Sequence, residues 1–148
     1  MHWTQYVTAI GIPIIAATAA WIAFRQFQIA RNRLKLDLFD KRMEVYEAVR
    51  EALGSISRQG NLTQEQQIQY LQGTRTARWL FGPEVFQYLD ETLWHKIVDL
   101  EYHNTMTRDS EGGARSQHIQ AKTETLKWMI SQHKEFDALV AEYLRLQS

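Results

Sequence analysis

The chain has no cysteine and only two prolines among its 148 residues. Without cysteine there is no disulfide framework, no thiolate metal site and no cysteine nucleophile. The sequence also lacks the alternation of apolar and polar residues that is typical of strands, internal repeats and low-complexity linkers. Its apolar residues recur with a helical period instead, so we expect an all-α protein.

Formal charge is missing from the start of the chain. Residues 3–24 form a run of 22 residues without Asp, Glu, Lys or Arg, and a helix of about 20 apolar residues crosses the hydrocarbon core of a bilayer. Trp3 and Tyr6 lie near one end and Trp21 and Phe24 near the other, as expected for aromatic rings at two membrane interfaces. The sequence therefore predicts a transmembrane helix that ends at residue 24. A buried core helix or a cleaved signal peptide are the alternatives, but no basic residue precedes the apolar run, as it would in a signal peptide.

Four basic residues, Arg25, Arg31, Arg33 and Lys35, follow the predicted span with no acidic residue among them. Positive charge beside a span resists translocation, so we expect the N-terminus outside and the rest of the chain in the cytoplasm. These side chains would then contact lipid headgroups and fix the topology. Binding of an anionic ligand is the alternative.

Within the predicted span, a mildly polar line recurs at intervals of four, three, four, three and four residues, which places it on one helix face. In a ring of identical chains, this face would line a pore while a neighbouring alanine-rich face packs against the next subunit. An anchor with ordinary threonine and alanine packing is the alternative, since threonine can bond its own backbone. The pore-lining candidates are Thr4, Thr8, Gly11, Ile15, Thr18 and Ile22.

Residues 25–148 are predicted to form a cytoplasmic bundle of four antiparallel helices. The signals are a stretch without proline or glycine after the span, a capping box at Thr63 and Gln66, Pro83 at a first helical position, and the glycine-containing loop 108–116. A loop is expected over residues 54–62. The expected helices cover residues 25–54, 63–81, 83–107 and 116–147.

The first of these helices has two adjacent apolar seams, one for its own bundle and one for a sister chain. A single wide core-facing stripe would give the same pattern. The first seam consists of Leu36, Phe39, Met43, Tyr46 and Leu53, and the second of Leu34, Leu38, Val45 and Val49.

Candidate chemistry is sparse. Glu91, His95, Asp99 and His103 recur every four residues, a spacing that suits either a metal site or, more simply, a solvated row of charge pairs. His118 and His133 have no partner in the pattern. No glycine-rich phosphate loop, nucleophile elbow or carboxylate dyad is present, so we expect no enzyme activity, no cofactor and no metal.

The best candidates for an anionic ligand, such as a nucleotide or oligonucleotide, are arginines near a tryptophan, since a cation and a stacking plane suit a phosphate and a base. Surface arginines beside a core tryptophan are the alternative, and Trp94 and Trp128 are expected to be core. The ligand candidates are Arg75, Arg78, Trp79, Arg108 and Arg115.

Residues 34–49, LKLDLFDKRMEVYEAV, resemble a motif of small uncharacterised bacterial inner-membrane proteins with one N-terminal span. Residues 77–89, ARWLFGPEVFQYL, and 136–146, FDALVAEYLRL, extend the resemblance over most of the chain. It implies the bacterial inner membrane and a helical cytoplasmic domain, but carries over no catalytic residues. In architecture the chain is similar to membrane effectors of antiphage signalling systems.

Two functions follow from these expectations. The first is a homo-oligomeric single-pass protein acting as a ligand-gated channel or membrane-perturbing effector of the kind used in antiphage defence. The second is a non-enzymatic anchor or scaffold that holds a partner at the inner membrane.

Overall fold

The computed structural model describes the backbone of residues 3–145 and the side chains of residues 15–145. Every regular element in this part of the chain is a helix, and no strand is present in it. The all-α prediction is therefore confirmed. The helices are α1 Trp3–Gln59, α2 Gln64–Thr74, α3 Ala77–Leu80, α4 Pro83–Gln87, a π-helical segment Tyr88–Leu93, α5 Trp94–Asp109 and α6 Gly112–Val140.

The chain divides into two compact units, Met1–Leu38 and Phe39–Ser148, whereas the sequence predicted a boundary at residue 24. In the first unit every described side chain is exposed. Among the described residues, no helix contains a segment both long and apolar enough to cross a bilayer. The side chains of residues 3–14, which make up half of the predicted span, lie outside the described residues, so the transmembrane helix stays a prediction.

Helix α1 continues five residues beyond its predicted end at Gly54 and ends at Gln59. Glycine inside a helix costs about 1 kcal/mol relative to alanine, but Leu53 and Ile56 on either side are completely buried, and burying such side chains outweighs that cost. The helix stops at Gly60, which adopts a left-handed φ of 76°. Its N–H donates to the carbonyl of Ile56 at 2.8 Å, so the prediction of a loop at residues 54–59 was wrong.

The two predicted seams of α1 are buried only in the second unit. Val45, Val49 and Leu53 are 0–1% exposed, whereas Leu34 and Leu36 in the first unit are 70% and 51% exposed. The apolar spacing of α1 is therefore the same in both units, but its side chains are exposed in the first unit and buried in the second.

The second unit encloses a single hydrophobic core, to which four helical stretches contribute: the end of α1, α2 with α3, α4 through α5, and α6. Each contributes apolar side chains at three- and four-residue intervals, as amphipathic helices do. The largest of the fully buried side chains are Val45, Val49, Leu53, Ile56, Tyr70, Val85, Leu89, Leu93, Leu100, Met129, Phe136 and Val140.

The second predicted helix, residues 63–81, is interrupted. Its capping box is confirmed, because the Thr63 N–H donates to the Gln66 side chain at 2.9 Å and the Gln66 N–H to the Thr63 hydroxyl at 3.2 Å. The chain then leaves the helix at Arg75–Thr76, so that α2 and α3 are separate. Gly73 lets α2 approach α1, since a Cβ there would overlap the Cβ of Ala48.

The third predicted helix begins at Pro83 as expected, but contains a π-helical segment and ends at Asp109. The last helix begins at Gly112 rather than residue 116, because the φ of 62° at Gly112 accomplishes the turn in a short connection, Ser110–Glu111. It ends at Val140 rather than residue 147 and is followed by turns. Residues 146 and 147 lie outside the described residues.

Candidate functional site

A cavity of about 350 Å³ opens in the second unit beside the break between α2 and α3. This volume is within the lower part of the range for small-molecule sites. Three of the predicted ligand residues line it together, accompanied by aromatic rings from the next helical stretch. The lining residues are Tyr70, Leu71, Thr74, Arg75, Arg78, Trp79, Phe86, Leu89, Asp90 and Trp94.

The rear wall of the cavity is fixed by Tyr70, which is 2% exposed and stacks on Trp94 with ring centroids 5.9 Å apart. Its hydroxyl donates to the carbonyl of Leu89 at 2.8 Å. The same carbonyl accepts the N–H of Trp94 five residues on, the bond that defines a π-turn. Tyr70 thus ties α2 to the π-helical segment and holds Trp94 at the inner surface.

Burial raises the pKa of Tyr70 well above its ordinary value, with further contributions from Tyr88 and Asp90. The hydroxyl therefore stays protonated, and remains a hydrogen-bond donor, at alkaline pH values where an exposed tyrosine would ionise. Burial also raises the pKa of Tyr88 to about 12, with a smaller effect of Glu135. This second tyrosine lies outside the cavity and donates to Gln132 Oε1 at 2.8 Å.

The mouth of the cavity combines a cation with aromatic rings. The guanidinium carbon of Arg78 lies 5.5 Å from the ring centroid of Trp79 and 5.8 Å from that of Phe86. Trp79 is 80% exposed, the highest exposure among the large apolar side chains described. Exposed tryptophan is unusual without a partner, and its free face is suited to stacking.

Positive charge dominates the lining. Arg75 and Arg78 are exposed, and within the described residues no carboxylate lies at salt-bridge distance from either. Asp90 is the only acidic residue of the lining. Two arginines without carboxylate partners next to stacking planes favour an anionic, planar ligand.

A second depression of about 640 Å³, on the second unit's part of α1, has the opposite character. It is open, and Glu44, Glu47 and Glu51 surround it with Arg50 as the single cation. Three carboxylates would repel a phosphate, so this surface is not a competing anion site.

The structure divides the five predicted ligand residues. Arg75, Arg78 and Trp79 line one cavity, but Arg108 and Arg115 are exposed beside the turn between α5 and α6 and are not part of its lining. The cavity therefore brings together three of the five candidates, whereas Arg108 and Arg115, which bound the acidic loop in the sequence, stay a prediction apart from it.

Seven of the ten lining residues were not among the predicted ligand residues, and three of the seven are Phe86, Asp90 and Trp94. Trp94 was expected in the core, yet it is half-buried and lines the cavity. The three recur at intervals of four along one helical stretch, a signal that would have shown a shared face.

The predicted row on the third helix does not gather into a metal site. Nδ1 of His95 contacts the carbonyl of Glu91, and Asp99 pairs at 3.8 Å with Lys96. Within the described residues, no group of three or more His, Cys, Asp or Glu side chains is arranged to hold a metal ion. The row is an exposed stripe up to Asp99.

Two histidines expected to be isolated have partners. His118 Nδ1 lies 3.2 Å from Nδ1 of His103, so the row's last member faces α6. His133 Nε2 lies 3.2 Å from the Ser57 hydroxyl, and its Nδ1 lies 3.3 Å from Arg50. These contacts join residues 15 to 83 positions apart, which a pattern along one helix cannot reveal.

Of the pore-lining candidates, Thr4, Thr8 and Gly11 lie outside the residues whose side chains are described. Ile15 and Ile22 are exposed, and the hydroxyl of Thr18 donates to the carbonyl of Ile15 at 2.9 Å.

The four basic residues after the predicted span, Arg25, Arg31, Arg33 and Lys35, are all exposed. The guanidinium carbon of Arg25 lies 5.3 Å from the ring centroid of Trp21. This contact pairs a basic side chain with an aromatic one at the end of the predicted span. Snorkelling arginines and tryptophans share this position in membrane helices.

Comparison of the chain with family models, curated proteins and solved structures finds no match.

Proposed function

We propose that the chain is a homo-oligomeric, single-pass protein of the bacterial inner membrane that acts as a ligand-gated channel or membrane-perturbing effector. In this proposal the second unit is a cytoplasmic four-helix bundle. The cavity beside α2 and α3 takes a nucleotide or a short oligonucleotide, and ligand binding shifts the packing of the chains. Effectors of this design serve in antiphage defence.

The observation that carries the proposal is the combination of Arg75, Arg78 and Trp79 in one cavity. Both guanidinium groups lack carboxylate partners among the described residues, and the indole is 80% exposed. A phosphate would bind the guanidinium groups in bidentate fashion, and a base would stack on the indole. Asp90 at the same cavity is an acceptor for an amino group of the base or a hydroxyl of the sugar.

The membrane part of the proposal is supported by the sequence. Residues 3–24 carry no formal charge, and four basic residues follow them before residue 36. Helix α1 runs from Trp3 to Gln59 without interruption, which gives the proposed span a continuous backbone into the second unit.

The anchor or scaffold function is the alternative, and the hydrogen bond from Thr18 to its own helix favours it. A hydroxyl that is satisfied by the backbone is ordinary packing in an apolar helix and needs no water-filled pore. Replacement of residues 3–24 by an unrelated span of equal length separates the two functions, since an anchor keeps its activity and a channel loses it.

Ligand binding is tested on the full chain in detergent with AMP, GMP, their cyclic forms and a dinucleotide, by the quenching of tryptophan fluorescence. We expect saturable quenching by at least one nucleotide, lost in Arg75→Glu/Arg78→Glu. The matched control is Arg108→Glu/Arg115→Glu, which makes the same charge change outside the cavity and should bind as wild type. Equal loss in both double variants would indicate a general charge effect and contradict the site.

Conduction is tested in planar bilayers with two substitutions in the predicted span. Thr18→Glu places a charge on the proposed pore face and should change the single-channel conductance. Ile14 belongs to a third face of the span, which its bulky side chains (Val7, Ile10, Ile14, Trp21) lead us to expect on the lipid side, so Ile14→Val should not change the conductance. Equal effects of both substitutions would contradict the pore.

A further inference from the structure

The imidazole rings of His103 on α5 and His118 on α6 face each other across a helical hairpin. Each lies seven residues from the connection Ser110–Glu111, so the antiparallel course of the two helices brings them to the same level. Their Nδ1 atoms are 3.2 Å apart and both rings are half-buried. The pair lies on helices rather than on a loop, which fixes its geometry.

A third ring supports the pair. Tyr102 stands edge-on to His103 with centroids 5.3 Å apart and edge-on to His118 with centroids 5.9 Å apart. The two imidazoles themselves are tilted by 44°. The Tyr102 ring thus borders both imidazoles, although it is itself 53% exposed.

We propose that His103 and His118 form a two-histidine clasp for a divalent transition-metal ion, with copper(II) bound most tightly and water in the remaining positions. Imidazole nitrogens bind such ions at about 2.0–2.1 Å. Two nitrogens 3.2 Å apart, each at that distance, enclose an angle of about 100–105° at the ion. This angle lies between the square-planar and the tetrahedral values, so the separation of the two nitrogens fits an ion of either coordination geometry.

The ligand type decides which ions bind. Neutral imidazole suits copper, nickel and zinc, and the affinity of a nitrogen site rises to copper(II) and falls again at zinc. Magnesium prefers oxygen ligands to imidazole nitrogens, so we expect it not to bind the two histidines. Each ring offers its Nδ1 lone pair only when it is neutral with its proton on Nε2, so a ring that donates from Nδ1 must change its tautomer when the ion binds.

An ion in this position would join α5 to α6 close to their connection. Because the unfolded chain does not hold the two rings together, binding stabilises the folded state. This clasp is distinct from the cavity at Arg75 and Arg78 and does not depend on the proposed function.

The experiment uses the full chain in detergent, stripped with a chelator, and titrates it with copper(II), zinc or magnesium chloride. All variants carry His2→Ala, because an amino terminus with a nearby histidine binds copper(II) without any fold. We expect one copper(II) ion per chain, two nitrogen ligands in the electron paramagnetic resonance spectrum, and a thermal midpoint raised by about 5–10 °C at a hundredfold excess over Kd. Zinc should give a smaller rise and magnesium none.

Three variants separate the clasp from adventitious binding. His118→Ala and His103→Ala should each lower copper(II) affinity at least tenfold, and circular dichroism checks that they remain helical. The matched control, His95→Ala, removes an exposed histidine of the same α5 and should bind as the parent does. Unchanged affinity in His103→Ala/His118→Ala, or a loss in His95→Ala equal to that in His118→Ala, would overturn the proposal.

Discussion

Helix α1 passes through two regions that share a helical spacing of apolar residues but differ in how deeply those residues are buried. From residue 15 to 38 each described side chain is exposed, including Leu34 at 70% and Phe27 at 65%. From residue 39 to 59 the same helix places Val49 and Ile56 at 0% exposure in the core of the second unit. Apolar residues are plentiful in both regions.

The comparison shows that apolar spacing determines which side of a helix is buried, but not what buries it. In the second unit the partners are α2 and α6, and the core closes within one chain. In the first unit the described apolar side chains are exposed and pack against no other helix among the described residues. Exposed apolar side chains in this number are typical of a membrane or interaction surface.

The largest expected effect is the loss of Phe136 in the second unit. This ring is 0% exposed and stacks between Tyr46 and Tyr88, with centroids 5.7 and 6.1 Å away. Phe136→Ala should lower the free energy of unfolding by about 3–5 kcal/mol, as measured by urea titration of the helical signal.

The control for that substitution lies in the other region. Phe27→Ala removes an equal volume from an exposed position and should change the free energy of unfolding of the second unit by less than about 0.5 kcal/mol. Similar losses in both variants would mean that the two regions do not differ in packing as described.

A medium effect is expected from a single methyl group at Gly73, where α2 approaches α1. A Cβ there would overlap the Cβ of Ala48, so Gly73→Ala should cost about 1–3 kcal/mol in the free energy of unfolding. Gly113→Ala adds the same methyl group in α6 with nothing within 4 Å and should be neutral or slightly stabilising. A stable Gly73→Ala variant would show that the two helices separate at little cost.

Several helix boundaries could be predicted from local sequence signals. The capping box at Thr63 and the helix start at Pro83 depend only on neighbouring residues, and both are found where predicted. The helix through Gly54 was missed because burial of Leu53 and Ile56 overrides a weak local preference, and burial is a property of the whole unit.

The site was predictable only in part, for a similar reason. Arg75, Arg78 and Trp79 share a short stretch of chain, so their common face was visible in the sequence. The π-helical segment Tyr88–Leu93 adds a wide turn that rotates the residues after it relative to those before it. A helical wheel with a constant angle of about 100° per residue therefore misplaces the residues on the two sides of this segment. The pairing of His103 with His118 could be predicted only from the correct length of the connection between α5 and α6. The sequence predicted a loop over residues 108–116, which is longer than the observed connection Ser110–Glu111.

The two regions should also differ at alkaline pH, because the buried tyrosines with a raised pKa are in the second unit. Folding raises the pKa of Tyr88 from 10.0 to about 12, so its contribution is complete below pH 10 and declines as the pH rises toward 12. The urea midpoint should therefore fall between pH 9 and pH 11.5, and less steeply in Tyr88→Phe. The same steepness in both proteins would exclude Tyr88 as a cause.

The smallest effect on folding is expected at Leu34, and it tests what covers the exposed region. Because this side chain is 70% exposed, Leu34→Ser should change the free energy of unfolding of the second unit by less than about 0.5 kcal/mol. If a second copy of the chain covers the 15–38 region, the same variant should reduce the oligomer mass in native mass spectrometry, since a polar residue weakens an apolar seam. The matched control is Lys41→Ser, an exposed position in the second unit, which should leave the mass unchanged. An oligomer that survives Leu34→Ser intact would show that copies of the chain do not contact each other through this seam.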